Sequence, residues 1–145
     1  MPACVDLAET PDPTDPLEEQ ALAVLTQLRP DLDEAKWAAV RTDPIGARPC
    51  FTVVADDGVV SAVAGWRLMA MTHTGRTLYV DDLVTDAAVR SRGDGSLLLG
   101  HLRERAEQLG ASVLALDSGV QRFDAHRFYL RERMSITSHH FARNV

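Results

Sequence analysis

Between Val89 and Gly110 the chain reads "VRSRGDGSLLLGHLRERAEQLG", with two glycines among basic and polar residues directly before a leucine stripe. Leu98, Leu102, Ala106 and Leu109 fall on one face at helical spacing, and Gly110 stands where a helix end needs it. Upstream lies an alternating apolar run, "TLYVDDLVT"; downstream lies "SVLALD", short and nearly all apolar. The unit is therefore strand, glycine loop, helix, strand. The second strand has the composition of one buried on both faces. A crossover of this kind restricts the fold to one with a mixed sheet, and it puts the most flexible residues of the chain where a helix starts.

The remaining segments fill in the sheet. "ACVDLAE" predicts a short edge strand. Asp15, Pro16 and Glu18 form a helix start of the Asp-x-x-Glu kind, with Pro16 at the first helical position. Leu17, Ala21, Val24, Leu25 and Leu28 recur on one face of that helix until Pro30 ends it. A second helix is expected from Asp33 to Thr42. "CFTVVADDGVVSAVAGWRLMAM" reads as two β runs joined at "DDG", because Asp and Gly accept positive φ in a tight hairpin. With "TLYVDDLVT" these make an antiparallel meander. "DAHRFYLRERM" predicts a short helix and "SITSHHFAR" a closing strand. The order is β-α-α-β-β-β-α-β-α-β, an α+β fold with a mixed sheet. No linker or repeat divides residues 1–145, which read as one domain.

The formal net charge of −6 argues against duplex nucleic acid as a partner, which requires a basic surface. No apolar run is long enough to cross a bilayer. The acidic, proline-rich start is neither signal nor transit sequence. Cys4 and Cys50 have no CxxC or metal spacing, so a reducing cytoplasm is the natural setting. His139 and His140, adjacent on a strand, would face opposite sides and could not chelate one ion together.

Residue by residue, the segment Arg90, Ser91, Arg92, Gly93, Asp94, Gly95 and Ser96 suits an anion. The first turn of a helix holds N–H groups without intrahelical partners, and the helix dipole adds partial positive charge. Glycines let a phosphate approach that backbone, and Arg90 and Arg92 add charge at the rim. The bland alternative is that Gly93 and Gly95 only make a tight turn. A nucleoside-triphosphate P-loop is excluded because no Gly-Lys-Ser/Thr follows. A dinucleotide fold competes, with Asp117 at the end of the next strand as its ribose-binding acid. Leu98 replaces its third glycine, however, and "DAAVRSR" separates strand from glycines.

Arg90-x-x-Gly93-x-Gly95, after a strand and opening a helix, resembles the signature motif of the GNAT superfamily of acyl-CoA-dependent N-acyltransferases. The element order resembles that family's fold over nearly the whole chain. "AHRFYLRERM", Ala125 to Met134, is similar to its second motif, Ala-x-x-Phe-Tyr. Arg133 stands where members commonly have Gly, and Arg122 where they often have Asn. The resemblance implies acetyl-CoA as cosubstrate, its pyrophosphate on the backbone from Arg90 through Ser96. The pantetheine arm would run along Leu83, Val84 and Thr85 where the central sheet splays.

Acyl transfer from a thioester needs a neutral amine, a stabilised oxyanion and a proton for the departing thiolate. By the resemblance Tyr129 is the acid; a phenol with a pKa of about 10 keeps its proton at neutral pH. Asp81 and Asp82 are the candidate bases, though alternation allows only one into a cleft unless a bulge intervenes. A water relay would replace either. His126, one turn before Tyr129, reads as polar packing. The expected function is acetylation of a primary amine, a small molecule or a protein side chain. The acidic chain points to a cationic acceptor, met near Trp37, Arg41, Arg67 and Met69. A non-catalytic acyl-CoA sensor is the alternative, and a homodimer is the default for soluble oligomers.

Overall fold

A computed structural model describes residues 1–46 and 48–145 of the chain. In order along the chain come β1 (Ala3–Asp6), α1 (Pro16–Leu28), α2 (Glu34–Thr42), β2 (Cys50–Asp56), β3 (Val59–Met71) and β4 (Gly75–Thr85). A single 3-10 turn (Ala87–Val89), α3 (Asp94–Gln108), β5 (Val113–Leu116) and α4 (Phe123–Arg131) follow. The chain divides into two compact units, Met1–Ala115 and Leu116–Val145. The fold is α+β, with strand order β1-β2-β3-β4-β5.

Helix ends follow local chemistry. Asp15 caps α1 by accepting from Leu17 N at 2.9 Å, with Pro16 directly inside. Asp33 caps α2 by accepting from Lys36 N at 2.8 Å. At the end of α3, Gly110 turns left-handed (φ 73°). Its N–H donates to Glu107 O and that of Ala111 to Ala106 O, closing the last carbonyls. One expectation fails: Glu18 does not reach back to close a capping box. It is buried, as is Arg41 near the end of α2, and the two form an ion pair. Arg41 also donates to Ala8 O at 2.6 Å and lies over the rings of Trp37 and Phe51.

Strands β1 to β4 are antiparallel neighbours, β2 to β4 as a meander and β1 joined to β2 through the two helices. The β2–β3 hairpin turns through Asp57 (φ 49°) and Gly58 (φ 76°), the pair of positive φ values a two-residue hairpin demands. On one face Phe51, Val53, Val63 and Val84 pack with Ala21, Val24 and Leu25 of α1 and Trp37 of α2. The alternate positions Val54, Ala62, Ala64, Trp66, Leu78 and Val80 are equally buried on the other face, which α3 covers with Leu98, Leu99, Leu102 and Ala106. Each fully buried Leu or Val contributes about 1.5–3 kcal/mol.

In the second unit α4 is formed, but the closing strand is not: residues 132–145 are neither helix nor strand. Ile136 and Phe141 are both exposed. They lie five positions apart, so on a strand they would face opposite sides and neither face would have an apolar row to bury.

Candidate active site

The glycine loop is built from two sides. Asp86, whose N–H donates to Ser61 O at 2.8 Å, accepts from Ala88 N and caps the 3-10 turn. Gln27 of α1 clamps the same point, donating to Asp86 Oδ1 at 3.2 Å and accepting from Ala87 N at 2.9 Å. These bonds hold the Asp86 carboxyl below its ordinary range, the backbone bond contributing most. Gln27 carries no motif, and nothing in the sequence beyond its place one residue from the end of an amphipathic helix hinted that it meets the turn after β4.

Beyond the turn the backbone goes left-handed twice, at Ser91 (φ 68°) and at Gly93 (φ 88°). Gly93 is the N-cap of α3 and has no side chain with which to close the first turn. The first intrahelical bond runs from Leu97 N to Gly93 O at 3.0 Å, so the N–H groups of Asp94 and Gly95 precede the ladder. A Cβ at Gly93 would touch nothing within 4 Å, leaving the backbone open on that side. Arg90 and Arg92 are exposed. Asp94 is not a rim residue: its side chain is buried with Oδ2 lacking a hydrogen bond, and its counter-charge is Arg92 at 3.6 Å. Arg92 is thus partly committed inside the loop, and Arg90 is the more available of the two cations.

Upstream, Leu83, Val84 and Thr85 pair with Ala64, Val63 and Ala62 of β3. Val84 points into the α1 core, while Leu83 and Thr85 are half-buried on the other face. On the opposite edge of β4, Ser112 N donates to Arg76 O at 2.9 Å, so β5 starts beside the beginning of β4. Leu83 to Thr85 lie at the other end.

The β3–β4 register slips between Gly65 and Trp66: Gly65 faces Asp82, Trp66 faces Val80, and Asp81 is the extra residue. The bulge brings both carboxylates to the face that carries Phe51 and Gly65. Both are claimed. Arg67 donates twice to Asp81, Nη2 to Oδ1 at 2.8 Å and Nε to Oδ2 at 3.0 Å. Arg29, at the end of α1, donates through Nε to Asp82 Oδ1 at 2.8 Å and through Nη2 to Asp81 O at 3.2 Å. Trp37 and Arg41, by contrast, are buried and face the core rather than a ligand.

In the second unit Tyr129 is buried against Phe128, ring centroids 5.4 Å apart. Burial pushes its phenol above the ordinary value, against an opposing charge and hydrogen bond from Arg122. His126 is fixed by contact of Nε2 with Gly119 O at 2.7 Å, as packing requires. His140 lies 3.4 Å from Asp117. In the first unit both thiols are raised, chiefly by burial and then by Asp6, so neither is an activated nucleophile.

A family model described as Acetyltransferase (GNAT) family matches residues 11–133. The chain belongs to that family. The uncharacterized N-acetyltransferase YhdJ of Bacillus subtilis is 31% identical over 120 residues, covering 81% of this chain and 83% of the relative. An aminoalkylphosphonate N-acetyltransferase of Salmonella typhimurium is 43% identical over 53 residues, 37% of this chain and 34% of that protein. Among solved structures, an aminoglycoside N-acetyltransferase, AAC(6')-Iy, in complex with CoA superposes with a TM-score of 0.83 at 13% identity, covering 100% of this chain and 95% of that one. The mixed α+β sheet is the GNAT fold, and the chain is an acetyltransferase.

Proposed function

We propose that this GNAT protein transfers an acetyl group from acetyl-CoA to a primary amine, residues 1–145 acting as one catalytic domain. The family match, which runs across the division between the two compact units, supports the single domain. The observation that carries the donor is the start of α3: a left-handed glycine N-cap with no side-chain cap, flanked by Arg90 and Arg92. That arrangement suits a pyrophosphate bound through backbone N–H groups of Arg90, Ser91, Arg92, Gly93, Asp94, Gly95 and Ser96. The pantetheine would pair with Leu83, Val84 and Thr85, beyond the reach of a four-residue β5 (Val113–Leu116) that starts beside Arg76 of β4.

In the reaction the amine nitrogen attacks the thioester carbonyl. The C–N bond forms, the C–S bond breaks, and the thiolate takes the proton of Tyr129. The raised phenol pKa supports that role, since the group is fully protonated at neutral pH. The amine proton goes to water or to one of Asp81 and Asp82. Their pairing with Arg67 and Arg29 favours water as the first acceptor, with the aspartates orienting the amine.

A thermal-shift comparison of acetyl-CoA, CoA, NAD and ATP tests the donor, since a ligand raises apparent stability by mass action. Stabilisation by the two coenzyme A species, with thiol release on adding amines, is the expected result. Stabilisation by CoA without thiol release for any amine would mean a sensor. Stabilisation by NAD alone would mean a dinucleotide site.

A further inference from the structure

Resting on the acetyl-transfer reading above, we propose that the acceptor is a zwitterion, a short amine bearing an acidic group, held at the arginine–aspartate cluster of the β4 bulge. The chain as a whole carries −6, which by itself suggests a cationic acceptor. The local charge says otherwise. Asp81 and Asp82 stand on one face, and each is matched by one guanidinium at 2.8 Å. Two negative and two positive groups leave the cluster without net charge to attract a polycation, whose second cationic end would meet the guanidinium of Arg29.

The layering within the cluster fits a ligand that carries both signs. The carboxylates of Asp81 and Asp82 are each 20% exposed, whereas Arg29 is 56% exposed. Acid lies below and base above. Arg29 is fixed in orientation by two acceptors, Asp82 Oδ1 and Asp81 O. An arginine has five donors in a planar fork, and the two anchoring bonds employ Nε and one Nη2 hydrogen. The outward part of the fork suits a carboxylate or phosphonate, while the ammonium of the same molecule meets the aspartate oxygens beneath.

Calorimetry on the full chain loaded with CoA decides the matter, with β-alanine and 2-aminoethylphosphonate as zwitterions, propylamine as the singly charged control and putrescine as the dication. The zwitterions are expected to bind roughly tenfold or more tightly than propylamine, the span of a hydrogen bond to a charged group. Arg29→Gln should abolish that preference and raise affinity for putrescine, because it uncovers Asp82; Arg29→Lys should keep part of the preference. Circular dichroism and melting confirm that each variant is folded. Putrescine or propylamine binding as well as the zwitterions, no amine binding at all, or an unchanged ranking in folded Arg29→Gln overturns the proposal. Zwitterion binding without thiol release from acetyl-CoA would instead remove the acetyl-transfer reading and leave the subsite standing.

Discussion

Gly65 on β3 stands directly opposite Asp82 on β4, and a methyl group on it would lie 3.3 Å from Asp82 Oδ2 and 2.9 Å from Phe51 Cε1. The glycine is what lets a carboxylate lie flat against a sheet already filled by an aromatic ring. Phe51 cannot yield, since it is buried, edge-on to Trp37 and beneath Arg41.

Gly65→Ala should therefore cost about 1–3 kcal/mol through overpacking, measured by urea unfolding, and should push Asp82 away from Arg29. Acceptor KM should rise more than the affinity for acetyl-CoA falls. An unchanged midpoint would show that the ring or carboxylate moves at no cost.

The ion pair of Glu18 and Arg41 joins the start of α1 to the end of α2 inside the core. Arg41→Met removes one partner and leaves a buried carboxylate uncompensated, with an expected loss of about 3–5 kcal/mol. The double variant Glu18→Leu with Arg41→Met should recover much of it, because no charge is then left buried. Equal destabilisation of single and double variants would argue that the guanidinium matters through its stacking on Trp37 and Phe51.

At Gly93 the backbone sits at φ 88°, with open space where a side chain would go. Gly93→Ala should cost about 1–2 kcal/mol from left-handed strain alone and weaken acetyl-CoA binding by displacing the first-turn N–H groups. Calorimetry should show the larger effect on CoA than on the acceptor. Wild-type affinity in this variant would dissociate the loop from the pyrophosphate.

Tyr129 bears on the pH profile. Its phenol must hold a proton to donate one, and burial raises its pKa. The alkaline fall in kcat/KM should consequently lie above the ordinary phenol value of about 10, and Tyr129→Phe should lower kcat about 10²–10⁴-fold, the range for general acid catalysis. A fall well below pH 10 in the wild type, or full turnover in the variant, would assign the proton to another group.

Elements with a strong period or a clear end signal were legible in the chain: α1 from its apolar stripe and Asp15, the hairpin from Asp57-Gly58, α3 from its leucines and Gly110. The closing strand was misread because β-like composition was present without an apolar row on either side. Glu18 was misread for a related reason. Its distance from Asp15 matched a local motif, but a partner twenty-three residues away, Arg41, offered a buried guanidinium.

By itself the sequence determined what depends on neighbours along the chain: the order of strands and helices as far as α4, the glycine-opened start of α3, and the family motifs. Only the tertiary structure decided that Gln27 clamps Asp86, that a bulge turns Asp81 and Asp82 to one face, and that Arg67 and Arg29 neutralise them. Those outcomes turn on register and on side chains meeting from separate elements. The one-residue slip between β3 and β4 decides whether one carboxylate or both face α1, and no local pattern encodes that slip.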